Sequence, residues 1–230
     1  MRNPFCDLTR FEKGLYLVSL VTVSGAFFLS ASTDHLTLIA SLIGVTALIF
    51  VAKGYVIGQV LTVMFALFYG IISFYFRYYG EMITYLGMTS PIAIMTVISW
   101  LRHPFETSKE VEVHRMTRKQ IIVMLILAAI MTGAFYFILK ALGNANLLFS
   151  TISVTTSFLA SWLTLMRSPL YALGYAANDV VLIVLWVLAA MEDVSYLPMV
   201  VCFVMFFLND SYGFVNWRRM ERRQRESTCS

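Results

Sequence analysis

Eight apolar segments, each near the ~20 residues that cross the hydrocarbon core of a bilayer as a helix, run through this chain of 230 residues. Little chain lies between them, and no intervening stretch is long enough to fold as a separate soluble domain. The sequence therefore predicts an all-α integral membrane protein with eight transmembrane helices. The segments cover residues 14–31, 36–52, 55–76, 82–101, 120–139, 145–166, 169–191 and 195–217.

The cationic residues fix the orientation of these segments. When the segments cross the bilayer alternately, 15 of the 17 Lys and Arg residues fall on one side, all except Arg77 and Lys140. Cytoplasmic loops of multi-pass proteins carry the excess of cations, so both termini are expected in the cytoplasm. The net charge of +4 thus reflects orientation and gives no reason to expect a nucleic-acid partner.

The N-terminal segment also has some features of a secretory signal, because Arg10 and Lys13 precede an apolar run that ends in small residues. The run is long for a signal peptide, and we interpret it as a membrane helix. Cys6, Cys202 and Cys229 lack the spacing of a metal site and are expected to be free thiols.

An internal repeat relates two groups of three segments. Gly58 aligns with Gly174 at an offset of 116 residues, and Trp100 aligns with Trp217 at an offset of 117. Three helices plus one linking helix would give parallel repeats about an axis along the membrane normal, an arrangement that encloses a solute pathway. Chance similarity between two apolar stretches is the alternative.

This repeat divides the chain into five regions. An N-terminal segment with an extra helix comes first, followed by the first three-helix repeat, a loop with the linker helix, the second repeat and a basic tail. They cover residues 1–35, 36–102, 103–144, 145–217 and 218–230.

Several motifs resemble the PnuC family of vitamin transporters. They are the stretch GYAANDVVL at 174–182, SYLP at 195–198, FLNDSYGFVNW at 207–217 before the basic tail, and a loop that begins SWLRHPF at 99–105. The similarity covers about residues 36 to 224 and is strongest after residue 167. These motifs are moderately specific.

The resemblance implies a SWEET-like 3+1+3 parallel-repeat core plus an extra N-terminal helix, in the inner membrane of a bacterium. It implies uptake of nicotinamide riboside by facilitated diffusion, with trapping by a separate cytosolic kinase. A homo-oligomer, namely a homotrimer, is also expected. Relatives that carry thiamine, riboflavin or deoxynucleosides leave the cargo open, because fold does not name cargo.

Helix geometry places two amides at one depth. Asn178 lies 11 residues beyond Arg167, or ~16 Å, and Asn209 lies nine residues before Arg218, or ~14 Å. Asn209, Tyr212 and Asn216 share one face of segment eight. We expect these residues to bind substrate near the midplane, although amides also join membrane helices to one another.

Other candidates depend on weaker signals. Trp186 shares a face with Asn178. Its ring is expected either to stack on a pyridinium ring of the substrate or to lie in the interfacial aromatic belt. Gln59 and Tyr69 are the candidates from the first repeat; Gln59 otherwise forms an interhelical bond. Trp100 and Trp217, beside cations, are expected to be interface anchors.

Asp179 and Asp210 are the acids that the pattern places well inside the segments, which makes each a functional candidate. Asp179 could balance a cationic ligand, stay neutral, or fix a neighbouring helix, and proton coupling through either residue stays open. Pro91 and Pro198 are candidates for local bends.

The second repeat carries most of the polar set. Asn209 aligns with Ile92 and Asn178 with Thr62, so we expect a site built mainly by the second repeat and completed by residues such as Phe65. A stripe of serines at 150, 153, 157 and 161 is typical of close helix packing.

The sequence gives little support to other classes of function. It contains no phosphate-binding loop with GK[ST], no HExxH and no GxSxG, and its three His residues lie in loops or at segment ends. We therefore expect neither a catalytic residue, a metal nor a cofactor, and an intramembrane enzyme is the less favoured alternative.

Overall fold

The computed structural model describes residues 4–30, 35–75, 79–106, 108–144 and 146–229. Eight helices within these ranges are long and apolar enough to cross a membrane. They are α1 (Arg10–Leu29), α2 (His35–Ala52), α3 (Val56–Tyr75), α4 (Tyr79–Arg102), α5 (Arg118–Ala141), α6 (Leu147–Leu165), α7 (Tyr171–Glu192) and α8 (Leu197–Cys229). The predicted all-α fold with eight membrane helices is confirmed.

The helix bounds follow the apolar segments closely except at the C-terminus. There the helix does not end at residue 217 but continues through the predicted basic tail. Met220, Glu221 and Gln224 are buried in this extension, so the tail packs against the protein. Arg2 and Arg77, two of the cationic residues from which the orientation is predicted, lie outside the described residues.

Two helices on the cation-rich side begin with the same capping pattern. The Oγ1 of Thr9 accepts from the backbone N–H of Glu12 while the Glu12 carboxylate accepts from that of Thr9, and Thr117 and Gln120 repeat this arrangement at α5. Such reciprocal bonds satisfy backbone donors that a helix start leaves free. The sequence TxxE or TxxQ before an apolar run thus sets where both helices enter the membrane.

Six of the described helices form a closed ring. Neighbours around it are α2, α3, α4, α6, α7 and α8, and α8 returns to contact α2. Helices α2 to α4 and α6 to α8 form two triplets, joined to each other where α4 meets α6 and where α8 meets α2. The two junctions use corresponding helices, as the predicted repeat requires, and the ring surrounds the centre of the molecule.

Helices α1 and α5 lie outside this ring. Helix α1 packs in the groove between α2 and α8. Helix α5 packs on α6 and also reaches α4, since its Phe135 and Leu139 share a buried cluster with Met88. Each thus covers one junction between the triplets, so the centre of the ring is shielded from lipid by a second layer there.

Gly58 and Gly174 occupy corresponding places in the two triplets. A Cβ at Gly58 would lie 2.4 Å from the backbone N of Val51, and one at Gly174 would lie 2.9 Å from the Cα of Ala160. In both triplets the second helix therefore touches the backbone of the first through a glycine. This close approach is the physical basis of the glycine alignment.

Helix α4 is irregular where it passes the centre. Its backbone forms a π-helical turn over Tyr85–Thr89, directly before Pro91. Proline lacks an N–H and disturbs the preceding turn, and π turns recur at functional sites. Pro198 lies in the first turn of α8, where a missing N–H costs no interior bond.

The loop between α4 and α5, described over residues 103–106 and 108–117 and here called the strap, crosses the cation-rich end of the bundle. The N–H of Val111 donates to Gly54 O in the α2–α3 turn at 2.9 Å, and the N–H of His114 donates to Arg167 O in the α6–α7 turn at 3.0 Å. Gln224 of α8 bonds to both Val111 and Val113. The strap thus holds the two triplets together at this end.

Substituting Gly58 by Ala should destabilise the protein strongly, because the new methyl group meets fixed backbone. Thermal unfolding in detergent should show a loss of about 2 kcal/mol or more, as for other overpacked sites. Gly25→Ala is the control, since nothing lies within 4 Å of its added Cβ. Equal unfolding temperatures for the two variants would contradict the close approach of α2 and α3.

Candidate functional site

A small cavity lies at the centre of the ring, and every ring helix contributes to its wall. Its free volume is about 50 Å³. The first triplet supplies Gly44, Ala47, Leu48 and Val51 from α2, Gln59, Thr62 and Phe65 from α3, and Tyr85 and Thr89 from α4; the second triplet supplies Ser157 from α6, Tyr175, Asn178 and Asp179 from α7, and Phe203, Phe206 and Asp210 from α8.

Asn178 is held in place by α6. Its Oδ1 accepts from the hydroxyls of Thr156 at 2.8 Å and Ser157 at 2.9 Å. With the oxygen anchored on α6, the amide nitrogen is turned toward the cavity. The serine stripe on α6 is therefore more than packing surface, since Ser157 both lines the wall and orients the amide.

Two acids meet on the same wall. The side chains of Asp179 on α7 and Asp210 on α8 lie within hydrogen-bonding reach of each other, and each is 3% exposed. The Oδ2 of Asp179 has no hydrogen-bond partner among the described residues. None of the described ion pairs involves either acid. The cavity therefore has an acidic side without a cation beside it.

The first triplet contributes more polar groups than the sequence predicted. Gln59 and Thr62 line the cavity from α3, and Tyr85 and Thr89 reach it from the π turn of α4. Gln59, predicted as a binding residue, is 2% exposed. The polar wall is thus shared between the triplets, while its carboxyl groups come only from the second among the described lining residues.

An aromatic layer closes the cavity on the side away from the strap. The indole N–H of Trp186 donates to the hydroxyl of Tyr69 at 3.0 Å and so joins α7 to α3. Tyr69 also contacts Tyr85, with ring centroids 4.3 Å apart, and Phe203, at 5.8 Å. Neither Trp186 nor Tyr69 is part of the lining. They belong to this layer, ~12 Å along α7 from Asn178.

A second aromatic layer closes the strap side. Trp100 and Trp217 pack with centroids 5.5 Å apart, and Tyr171 contacts Trp217 at 4.7 Å. The indole of Trp100 donates to Thr164 O at the end of α6, and that of Trp217 donates to Val51 O at the end of α2. Each tryptophan thus binds the opposite triplet in the same way.

These bonds overturn one prediction. Trp100 and Trp217 are 1% and 0% exposed, so they are not interface anchors. Proximity to cations in the sequence was a poor guide because the neighbouring arginines point outward while the indoles point to the ring axis. Val111 of the strap, 1% exposed, packs in the same cluster and covers it.

Ion pairs fasten the strap to its surroundings. Lys109 pairs with Asp7 at 2.6 Å, Glu112 pairs with Arg167, and Arg115 pairs with Glu221 of α8. Partial burial and the nearby carboxylates of Asp7 and Glu110 raise the pKa of Tyr55 to about 12. Its hydroxyl therefore stays a neutral donor to Asp7 at physiological pH.

Three predicted binding residues face away from the cavity. Asn209 donates from Nδ2 to Ser19 of α1 at 2.9 Å, Tyr212 donates to the carboxylate of Glu12 at 2.8 Å, and Asn216 donates to Ala52 O at 2.8 Å. They join α8 to α1 and α2. The face of α8 that does line the cavity carries Phe203, Phe206 and Asp210.

Comparison with known proteins identifies the family. The sequence pattern of the nicotinamide mononucleotide transporter family matches residues 34–219. The chain belongs to this family. It is 25% identical over 228 residues to the nicotinamide riboside transporter PnuC of Neisseria mucosa, covering 96% of this chain and 86% of that one.

A solved structure shares the fold. The crystal structure of the vitamin B3 transporter PnuC superposes with a TM-score of 0.82 at 24% identity, and the match covers 94% of both chains. As a member of the nicotinamide mononucleotide transporter family, the chain is a multi-pass membrane transporter and not an enzyme. The predicted resemblance to PnuC proteins is confirmed.

Two buried acids were not predicted as site or core residues: Asp210, which lines the cavity, and Glu81, which does not. Asp210 is a functional candidate as an acid inside a segment, but the predicted binding stripe on segment eight runs through Asn209 instead. The stripe at 203, 206 and 210 has the same helical spacing and would have found it. Glu81 was placed just outside a segment, yet it lies within α4 and is 5% exposed.

Loss of an indole N–H at the strap side should weaken the bundle. Trp217→Phe and Trp100→Phe each remove a bond between the triplets, worth about 1 kcal/mol. Trp162→Phe is the matched control, because the Trp162 indole nitrogen is buried without a partner among the described residues. Thermal unfolding should rank both test variants below the control, and an equal loss in all three would contradict the structural role of the bonds.

Proposed function

We propose that this transporter carries nicotinamide riboside into the cytoplasm through the central cavity. The observation that supports this most is the cavity wall, where two amides, hydroxyls and aromatic rings from five of the six ring helices converge. Amides and hydroxyls suit the ribose and carboxamide groups, and aromatic faces suit a flat pyridinium ring. The named substrate of the Neisseria mucosa relative has all these features.

The charge of the wall favours the riboside over the mononucleotide of the family name. A phosphate group needs cations or several N–H donors around it. The described lining includes two carboxyl groups and neither Lys nor Arg. A phosphorylated ligand would meet repulsion there, while the riboside, which lacks phosphate and carries a cationic ring, would not.

The cavity must widen before it admits such a ligand. Its volume of about 50 Å³ is far below the roughly 300 Å³ at the lower end of small-molecule pockets. An aromatic layer closes each side, and each layer is held by bonds between the triplets. We propose that the triplets rock against each other so that the two layers open in turn around a site near the midplane.

The strap side is proposed to face the cytoplasm of a bacterial cell, because of the excess of cations there. Transport is proposed to be facilitated diffusion, with accumulation by a separate kinase that phosphorylates the riboside. The assembly is proposed to be a homotrimer in the inner membrane. Light scattering of the purified protein tests this last point.

Binding calorimetry with purified protein tests the cargo. Nicotinamide riboside should bind more tightly than thiamine, riboflavin and a deoxynucleoside. Nicotinamide mononucleotide should have the lowest affinity of the ligands tested. Equal or absent affinity for the riboside would reject the proposed substrate. Recovery of unchanged riboside from proteoliposomes would separate transport from any chemical conversion.

The contacts of the two asparagines predict different effects of substitution. Asn178→Leu should weaken riboside binding at least about tenfold, since a ligand hydrogen bond is lost and its polar partner is left unpaired. Asn209→Leu should lower the unfolding temperature but leave the dissociation constant nearly unchanged, since Asn209 bonds to α1. Calorimetry and thermal unfolding of both variants measure this. The opposite pattern would place the binding site between α1 and α8.

Uptake into liposomes under an imposed pH gradient tests the mode of transport. Facilitated diffusion predicts that internal riboside never exceeds the external concentration, with or without the gradient. Uphill uptake driven by protons would establish proton coupling instead.

A further inference from the structure

The central cavity contains a feature that a site for a neutral nucleoside would not need. Asp179 and Asp210 are both buried, they contact each other, and they lie at the wall of the cavity. Carboxyl groups within a membrane protein are costly, so a pair of them without a cationic partner calls for an explanation.

The contact between the two carboxyl groups limits the charge that the pair can carry. A carboxylate only accepts hydrogen bonds, so a bond between two of them requires a proton on one. The second group can ionise when a cation lies beside it, and in that state the pair carries one negative charge. The Oδ2 of Asp179 has no hydrogen-bond partner among the described residues, so this oxygen is available to a ligand.

Neighbouring elements do not supply the missing positive charge. The titratable groups that interact electrostatically with the pair are phenols and a thiol. They belong to Tyr85 on α4, Tyr171 and Tyr175 on α7, and Cys202 on α8. All of these are neutral or acidic. The described Lys and Arg residues form their ion pairs at the strap end instead.

We infer that the Asp179–Asp210 pair makes this transporter selective for cationic ring systems, with the ligand itself as the missing counter-ion. This inference rests on the proposed function and adds that charge, more than ring shape, decides which cargo is accepted. A single positive ring next to the pair neutralises its single negative charge. The widened cavity then holds an overall neutral complex, which is the least costly state inside lipid.

Oxidised and reduced nicotinamide riboside form a test pair for this selectivity. Both carry the same ribose and carboxamide, but the pyridinium ring of the oxidised form is cationic and the dihydropyridine ring of the reduced form is neutral. Wild-type protein should bind the oxidised form at least about tenfold more tightly, since close buried charge pairs couple by more than the ~1.4 kcal/mol that a factor of ten needs. Equal affinities would overturn the inference without any variant.

Substitutions then locate the source of the selectivity. Asp179→Asn and Asp210→Asn should each reduce the ratio of the two affinities toward one, mainly by weakening the oxidised form. Glu81→Gln is the matched control: Glu81 is 5% exposed on α4 but does not line the cavity, so its variant should keep the wild-type ratio. A ratio that collapses equally in all three variants would overturn the role of the pair.

Thiamine, which is cationic, and riboflavin, which is neutral, separate this inference from the proposed cargo. Binding of thiamine in preference to riboflavin, with neither riboside form bound, would reject the cargo and keep the charge selection. Tight binding of both riboside forms would keep the cargo and reject the charge selection. Failure to bind any of the four would reject both.

Discussion

Lipid offers no hydrogen-bond partner, so every polar side chain within a membrane span must find its partner inside the protein or in a cavity. The six-helix ring satisfies this condition in two ways. At the junctions between the triplets, indole N–H groups bind the carbonyls at helix ends. At the centre, the amide and carboxyl groups of the second triplet line the same cavity as the hydroxyls and the amide of the first. The same constraint thus holds the ring together and produces a polar interior.

The closures on either side of the cavity follow from this arrangement. Aromatic side chains fill the space that the polar groups leave, and Tyr69, Trp186, Trp100 and Trp217 each combine a large apolar surface with a hydrogen bond between the triplets. Rocking of two rigid triplets would exchange these contacts without unfolding either triplet.

Two polar residues of α8 that do not line the cavity bond to the outer helix α1 instead. Helix α1 takes up the polar stripe of α8 through Ser19 and Glu12, and Lys53 neutralises Glu12 with both Nζ–O distances at 3.2 Å. Asn209, Tyr212 and Asn216 are thus explained as a structural seam between helices. The prediction that these residues bind substrate is untested, and their bonds to other helices disfavour it. Asp210, on the neighbouring face of α8, is the better candidate.

The sequence by itself determined what depends on the chain's local chemistry: eight spans from their apolar length, their orientation from the cations, and the family from motifs such as those around Asn178 and Asp210. It also located the glycine alignment that the helix contacts explain. Only the tertiary structure decided which face of each span points to the centre. Hydrophobic periodicity is weak in a helix surrounded by lipid on one side and apolar neighbours on the other, so Asn209 and Asp210, about 100° apart around one helix, could not be told apart until the packing of α1 against α8 was known.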